Sequence, residues 1–423
     1  MITPSFGITA TERVLPKMAL DFTTALLDPR VTFTRSGNTA TVVNSSGFVA
    51  PINADLPRFD YDPTTLVCKG LLIEEARTNL FLYSAEFDNA YWPKTRSTIT
   101  ANATTSPDGT LTGDKLVESI DNSTHYIARI DTTTNTSANT WSIYAKASER
   151  PSINISVREG TTFLRSANAT FNLSAGTVGA VAVAGGASGT ATIQNAGNGW
   201  YRCSLTVTLG GADLNSQVLF LINNGSVSSY QGNGTSGIFI WGAQLEVGAF
   251  PTSYIPTVAA TVTRNADVAK MTGTNFSDWY NASEGVFVAD FNSVDVGAGR
   301  FPNVITASNG SFAERIFLAL NAGARRAAVY SSSANQYEIS GGPIGSTTAN
   351  AFNRLAVAYK VNSFNSAALG SLSITDTSGV VPTVDRLNLG SSATSTSALN
   401  GNLIALRFYP QRLINAEVQA FSK

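Results

Sequence analysis

Charge is the scarcest commodity in this sequence. Across 423 residues only 13% are Asp, Glu, Lys or Arg, and 28 basic residues face 29 acidic ones. That balance offers no broad field for a nucleic acid or an anionic membrane surface to follow. Histidine is almost missing. His125 stands alone, so a Ser-His-Asp triad would have to be built on it, and no Gly-x-Ser-x-Gly elbow accompanies it. Flanked by Thr124 and Tyr126, it reads as a structural side chain. The two cysteines, Cys68 and Cys203, lie far apart and outside any CxxC or His-containing cluster, which argues against zinc. No apolar run approaches the roughly 20 residues that a membrane span needs. The start, Met1-Ile2-Thr3-Pro4-Ser5-Phe6, lacks a basic region followed by an apolar core, so no secretory signal is expected. No P-loop or dinucleotide fingerprint is present, and no cofactor is expected.

What the sequence does hold is turn formers and short alternating runs. Glycine occurs 35 times, and Ser, Thr and Asn cluster between apolar stretches, as in proteins made of many strands joined by turns. Gly199-Trp200-Tyr201-Arg202-Cys203-Ser204-Leu205-Thr206-Val207-Thr208-Leu209 alternates throughout. Tyr201, Cys203, Leu205, Val207 and Leu209 share one face, and Trp200, Arg202, Ser204, Thr206 and Thr208 the other. In Gly237–Val247 the same parity places Phe239, Trp241, Ala243, Leu245 and Val247 together, with Gln244 and Glu246 pointing away. Trp141-Ser142-Ile143-Tyr144-Ala145-Lys146-Ala147 and Ile153-Asn154-Ile155-Ser156-Val157-Arg158 alternate as well.

The fold class expected is all-β, with two jelly-roll β-sandwich domains in tandem behind an N-terminal attachment arm. Residues 1–83, with few period-two runs and Pro51, Pro57 and Pro63, form the arm, which packs on a neighbouring domain or another chain. Residues 84–257 form the first sandwich. Phe250–Thr257 is a strap leaving it, because Pro251 and Pro256 cannot donate to a central ladder. Residues 258–275 read as a linker and 276–423 as the second sandwich, which ends in a short helix near 415–421 with Asn415 as its N-cap.

Parity also sets the candidate site. Trp200 and Tyr144 fall on polar faces, in phase with Arg202, Asn154 and Arg158. An aromatic plate offers C–H/π contact to a sugar ring while amides and guanidinium groups bond its hydroxyls. These five residues are therefore the carbohydrate-binding candidates, with Trp200 packing beneath a loop or another domain as the plainer alternative. Asp60 and Asp62 form the nearest oxygen-ligand pair for calcium and are read as turn carboxylates, so no metal is expected. No catalytic pair of carboxylates stands out, although a glycosidase needs only two.

The motifs also carry a resemblance. Pro57-Arg58-Phe59-Asp60-Tyr61-Asp62, Gly70–Leu80, Phe87–Trp92, Gly197–Arg202, Trp241–Glu246 and Ser253–Thr257 resemble phage head-spike or tail-fibre proteins with a carbohydrate-binding-module-like jelly roll. Leu399–Ile404, Tyr409–Leu413 and Glu417 are similar to concanavalin-like or laminin-G-like sandwiches, here without an acidic calcium signature. The likeness spans most of the chain after about residue 30. It implies a non-enzymatic protein exposed on a virus particle that adheres to host-surface polysaccharide. Its partners would be other virion proteins through the N-terminal region and further copies of itself, a trimer being favoured. It implies neither a nucleic-acid partner nor membrane insertion. A purely structural virion protein and a capsule depolymerase are the rival expectations.

Overall fold

The computed structural model describes residues 15–133 and 136–423; the first fourteen residues of the expected arm lie outside them. The fold is nearly all β, as the alternation predicts. One sandwich pairs a six-stranded sheet with a larger one. The six strands run Ser188–Asn195, Trp200–Thr208, Asn139–Ala147, Gly237–Val247, Gly113–Glu118 and Ser97–Thr104 in spatial order. The facing sheet is built around Ser166–Asn172, Ser152–Glu159, Asn215–Asn223 and Asn122–Thr132. Inward positions of both interdigitate. Trp141, Ile143, Cys203 and Leu205 meet Ile153, Ile155, Phe220 and Ile222, all buried. Trp92 closes this core against Phe81 and Phe87, with ring centroids 5.0 and 5.2 Å away.

The second sandwich recruits both ends of the chain. Its first sheet centres on Glu284–Phe291, flanked by Asn353–Lys360 and Gly401–Tyr409. The far side of Gly401–Tyr409 is paired end to end by two N-terminal strands, Cys68–Ile73 and Met18–Asp21. The second sheet begins with Thr32–Thr34 and Val268–Thr272 and continues through Arg386–Leu389, Asn303–Ser308, Arg315–Asn321, Ala324–Ser331 and Ala334–Ser340. Met18, Leu20, Phe22, Phe33, Leu71 and Ile73 join its core. The expected boundaries are corrected accordingly. The expected arm packs on a neighbouring domain by adding strands of residues 15–83 to the second sandwich, and the expected linker 258–275 contains Val262–Arg264 and Val268–Thr272. The apolar positions of these pieces are too short to bury themselves, so they add to sheet edges that already exist. The terminal helix, Asn415–Phe421, starts after Ile414, whose N–H donates to Glu417 Oε2 at 3.0 Å. Asn415 is thus its first turn and not its cap.

Where the two sandwiches meet the N-terminal strands, charges are buried together. Arg35, Arg58 and Arg264 are each at most 2% exposed and surround Glu74 and Asp267. Arg58 binds Glu74 Oε2 at 2.7 Å through Nη1 and chelates Asp267 through Nη2 and Nε. Arg35 reaches Asp267 at 3.1 Å, and Arg264 lies 3.5 Å from Glu74. The strap joins in: Ser253 donates to Glu74 from both N–H and Oγ, at 2.8 and 2.7 Å. Burial by itself would raise the Glu74 carboxyl, but Arg264, Arg58 and the Ser253 bonds overturn it and hold it well below the usual range. Burial likewise opposes the charge of Arg58, and Asp267 and Glu74 overcome it, leaving that guanidinium raised.

Removing one partner strands buried charge on the others, so Arg58→Met should cost about 3–5 kcal/mol in chemical denaturation. A loss under about 1 kcal/mol would mean that the network is not a stabilising element. Glu74 has its folded-state pKa depressed, so its contribution is full above the unfolded value of about 4.3 and fades as pH falls below it. Acid titration of stability should therefore steepen below about pH 4, and Glu74→Gln, itself less stable at neutral pH, should flatten that limb. An unchanged slope in the variant would refute the assignment.

Candidate functional site

The outer face of the six-stranded sheet carries the residues that parity singled out. Trp200, Arg202 and Tyr144 do point away from the core, but they are not open to solvent. Trp200 is 1% exposed, and its Nε1 donates to the Thr105 carbonyl at 3.0 Å. Tyr144 packs with Trp241, Tyr254, Trp200 and Val49 in a separate apolar cluster outside the sheet. Tyr254 comes from the strap and its ring centroid lies 4.7 Å from that of Trp241. Arg202 donates through Nη1 to the Thr252 carbonyl of the same strap and through Nη2 to Ser142 Oγ at 3.1 Å. The expected open face is therefore corrected: the strap and the Val49 hairpin roof it. The alternation was right about direction and silent about what lies on top.

Trp241 requires a second correction. It belongs to this outer cluster, whereas Ile238, Ile240, Ala243 and Leu245 enter the core. The pairing register with Asn139–Ala147 slips between Ser142 and Tyr144, and Gly242 adopts φ +60°. An extra residue in one strand reverses the parity beyond it, and Gly tolerates the left-handed turn that this requires. Phe239 and Trp241 thus lie opposite to Ala243 and Leu245, not with them.

Asn154 and Arg158 fall elsewhere altogether, on the facing sheet of the first sandwich. Asn154 Nδ2 donates to Thr170 Oγ1 at 2.9 Å. Arg158 Nε donates to Gln217 Oε1 at 2.7 Å, with its guanidinium over the Phe163 ring at 4.4 Å. The five candidates accordingly form no common surface.

Two of them do reach an opening. A cleft of about 430 Å3 lies between the two sandwiches and the N-terminal hairpin, with Tyr144 and Arg202 among its lining residues. The first sandwich adds Gln194 and Asn195, and the second adds Asn292, Asn350, Asn400 and Asn402. The N-terminal strands add Asp60, Asp62 and Lys69, Lys69 being ion-paired to Asp60. A second hollow of about 540 Å3 continues it past Gln194, Pro251, Val294 and Asn350, lined by Thr190, Thr192, Thr206 and Thr208. Asn350 and Asn400 sit at φ +62° and +50°, a conformation that Asn adopts more readily than most residues. Gly401 permits the close crossing, since a Cβ there would stand 2.2 Å from the Asn292 carbonyl oxygen. Arg202 Nε and Asn402 Nδ2, in the cleft wall, are buried without a hydrogen-bond partner. The wall is therefore rich in amides and hydroxyls and poor in net charge. None of the cleft asparagines was named as a candidate from sequence. The only hint was the run Asn400-Gly401-Asn402, noticed for its family likeness.

The cleft wall offers hydrogen-bond donors and acceptors. A glycosidase needs one carboxyl held protonated. Of the cleft carboxylates, Glu74 is held low against burial by arginines, and Asp62 is lowered by the N–H groups of Thr65 and Thr64. His125 is fully buried, with Nδ1 2.8 Å from the Arg96 carbonyl oxygen. Among the described residues no group of three or more His, Cys, Asp or Glu side chains could hold a metal. Cys203 is buried, which pushes its thiol up and keeps it unreactive.

No family model matches the chain, and no curated protein matches it in sequence. Among solved structures it is similar to the Ruminococcus gnavus IT-sialidase CBM40 bound to alpha2,6 sialyllactose, at 15% identity over 34% of this chain and 85% of that one, with a TM-score of 0.29. It is also similar to the NanB sialidase of Streptococcus pneumoniae, at 12% identity over 36% and 26% of the two chains and a TM-score of 0.30. A third likeness is to the botulinum neurotoxin serotype D binding domain, at 9% identity over 37% and 40%, TM-score 0.28. Likenesses at this level concern about a third of the chain and do not decide its function.

Burial makes Trp200 a structural anchor. Trp200→Ala should destabilise the protein by about 3–5 kcal/mol in urea denaturation. A variant as stable as the parent would show that the ring is not packed and would return it to the ligand-contact role.

Proposed function

We propose that the protein is a non-enzymatic, glycan-binding adhesin displayed on a phage particle, and that the cleft between its sandwiches takes the saccharide. The single observation that carries the binding half of this reading is the composition of that cleft, where amides and hydroxyls from three separate parts of the chain converge. Sugar hydroxyls are donors and acceptors at once, and neutral amides and hydroxyls answer both needs without selecting for charge. The virion setting rests on the sequence motifs described above, and so does attachment to other virion proteins through the N-terminal region. Modest affinity per cleft suits a protein present in many copies on one particle, where avidity multiplies weak sites.

Gln194 and Asn350 are exposed on opposite walls and form no part of either core, which makes them the residues to change. On an array of bacterial surface polysaccharides, Gln194→Ala/Asn350→Gly, with glycine keeping the positive φ at 350 free of strain, should weaken binding at least about tenfold, two hydrogen bonds' worth, with thermal stability little changed. Equal binding by the variant would remove the cleft from the account. Release of reducing ends from a bound polysaccharide would instead make the protein a depolymerase, and no binding to any polysaccharide would favour a purely structural role.

A further inference from the structure

The second sandwich carries an unusual surface on the outside of the sheet that contains Arg315–Asn321 and Ala324–Ser331. Cross-strand register places Arg315 opposite Tyr330, Phe317 opposite Ala328, and Ala319 opposite Arg326. The Arg315 guanidinium lies over three rings, 4.3 Å from the Tyr330 centroid, 5.1 Å from Phe312 and 5.2 Å from Phe317. Arg326 covers Phe317 from the other side at 5.0 Å. The two arginines differ in how their charge is met. Arg326 is paired with Glu338 at 2.8 Å, and Glu338 also accepts from Tyr330 Oη and Asn335 Nδ2. Arg315 touches the Tyr330 hydroxyl, but among the described residues no carboxylate lies within ion-pair distance of it, and its Nε has no partner. Phe312, beside it, keeps half of its surface exposed (50%). The loop that presents Phe312 is held by Asn309, whose Oδ1 accepts from Ser311 Oγ at 2.7 Å.

From this geometry we propose a second saccharide site, independent of the cleft and selective for a sugar that bears a carboxylate, a uronate. A planar guanidinium fixed between rings is pre-set for two parallel bonds to a carboxylate. The exposed Phe312 ring beside it offers the apolar plate on which a pyranose face rests. Glu338 and Asn335, exposed at the edge of the same surface, supply an acceptor and donors for hydroxyl groups. The same surface disfavours an acidic peptide, which brings no flat apolar face to the exposed Phe312 ring, and only one guanidinium here lacks a carboxylate partner.

The test uses the full-length protein and calorimetric titration with trigalacturonate and a hyaluronan tetrasaccharide, each beside its neutral methyl ester, and with oligoglutamate. The acid forms should bind and the esters should bind at least about tenfold more weakly, as expected for loss of a charge-assisted bond. Arg315→Gln should lose the same factor. Phe312→Ser, at an exposed ring that no core depends on, should weaken the acid forms likewise and serves if Arg315→Gln is unstable. The cleft double variant should bind them like the parent. The proposal is overturned if neither uronate binds, if acids and esters bind alike, or if either stable variant matches the parent. Oligoglutamate binding as tightly as the uronates would overturn it too, in favour of an acidic-peptide surface.

Discussion

Arg58 holds Glu74 and Asp267 at the place where three stretches of chain, distant in sequence, have to meet. Its guanidinium takes both carboxylates at once, while Arg264 and Arg35 approach them from the other sides. The Thr41 carbonyl and Ser253 Oγ, from the hairpin and the strap, also accept from Arg58, at 3.2 and 2.8 Å. A buried cluster of this kind gains little over a well-packed apolar one, but it admits few alternative arrangements. Directional, fully buried charge is suited to fixing register, and here it fixes how the strap leaves one sandwich and how the N-terminal strands enter the other.

Neighbouring contacts extend the same logic outward. Asn79 is fully buried and uses both ends of its amide, with Nδ2 donating to the Ala243 and Ile255 carbonyls and Oδ1 accepting from Phe81 and Leu245 N–H groups. Glu246 accepts from Thr252 N–H and Oγ1 and from Gln244 Nε2. On the far side Glu75 is bonded to Arg300 and Asn400, which ties the junction to the loop of the second sandwich that walls the cleft. The cleft is thus a by-product of the junction: the contacts that set the two sandwiches beside each other also set the distance between Gln194 and Asn350. A saccharide held there would touch loops and sheet edges positioned by rigid β layers, an arrangement in which loops can vary while the scaffold stays.

The motifs that carry the family likeness form this junction. Arg58, Glu74, Arg77, Asn79, Glu246 and Ser253 all come from the runs that suggest a family, and they bond to one another, to adjacent side chains or to the backbone between them. Polar residues in distinctive motifs are often taken for ligand contacts. Burying the backbone of straps and strand ends calls for the same amides and guanidinium groups. Trp200 and Arg202 face outward, as parity expects, and are covered there. Their direction was legible, and their cover, Phe250–Thr257 and the Val49 hairpin, came from elsewhere in the chain.

By itself the sequence determined the all-β class, the inward and outward faces of the Asn139–Ala147 and Trp200–Thr208 strands, and the small supply of histidine and cysteine. Those follow from local rules, a period of two along an extended chain and a simple supply of side chains. Tertiary structure alone decided that Met18–Asp21, Thr32–Thr34, Phe59–Tyr61 and Cys68–Ile73 join the sheets of the second sandwich, that a one-residue slip at Gly242 turns Trp241 outward, and that asparagines from three loops face Gln194 across a cleft. Each of these depends on which strand accepts an edge or which loop crosses a face. That is a competition between distant partners for the same hydrogen bonds and apolar surface, and no local pattern along one strand records its outcome.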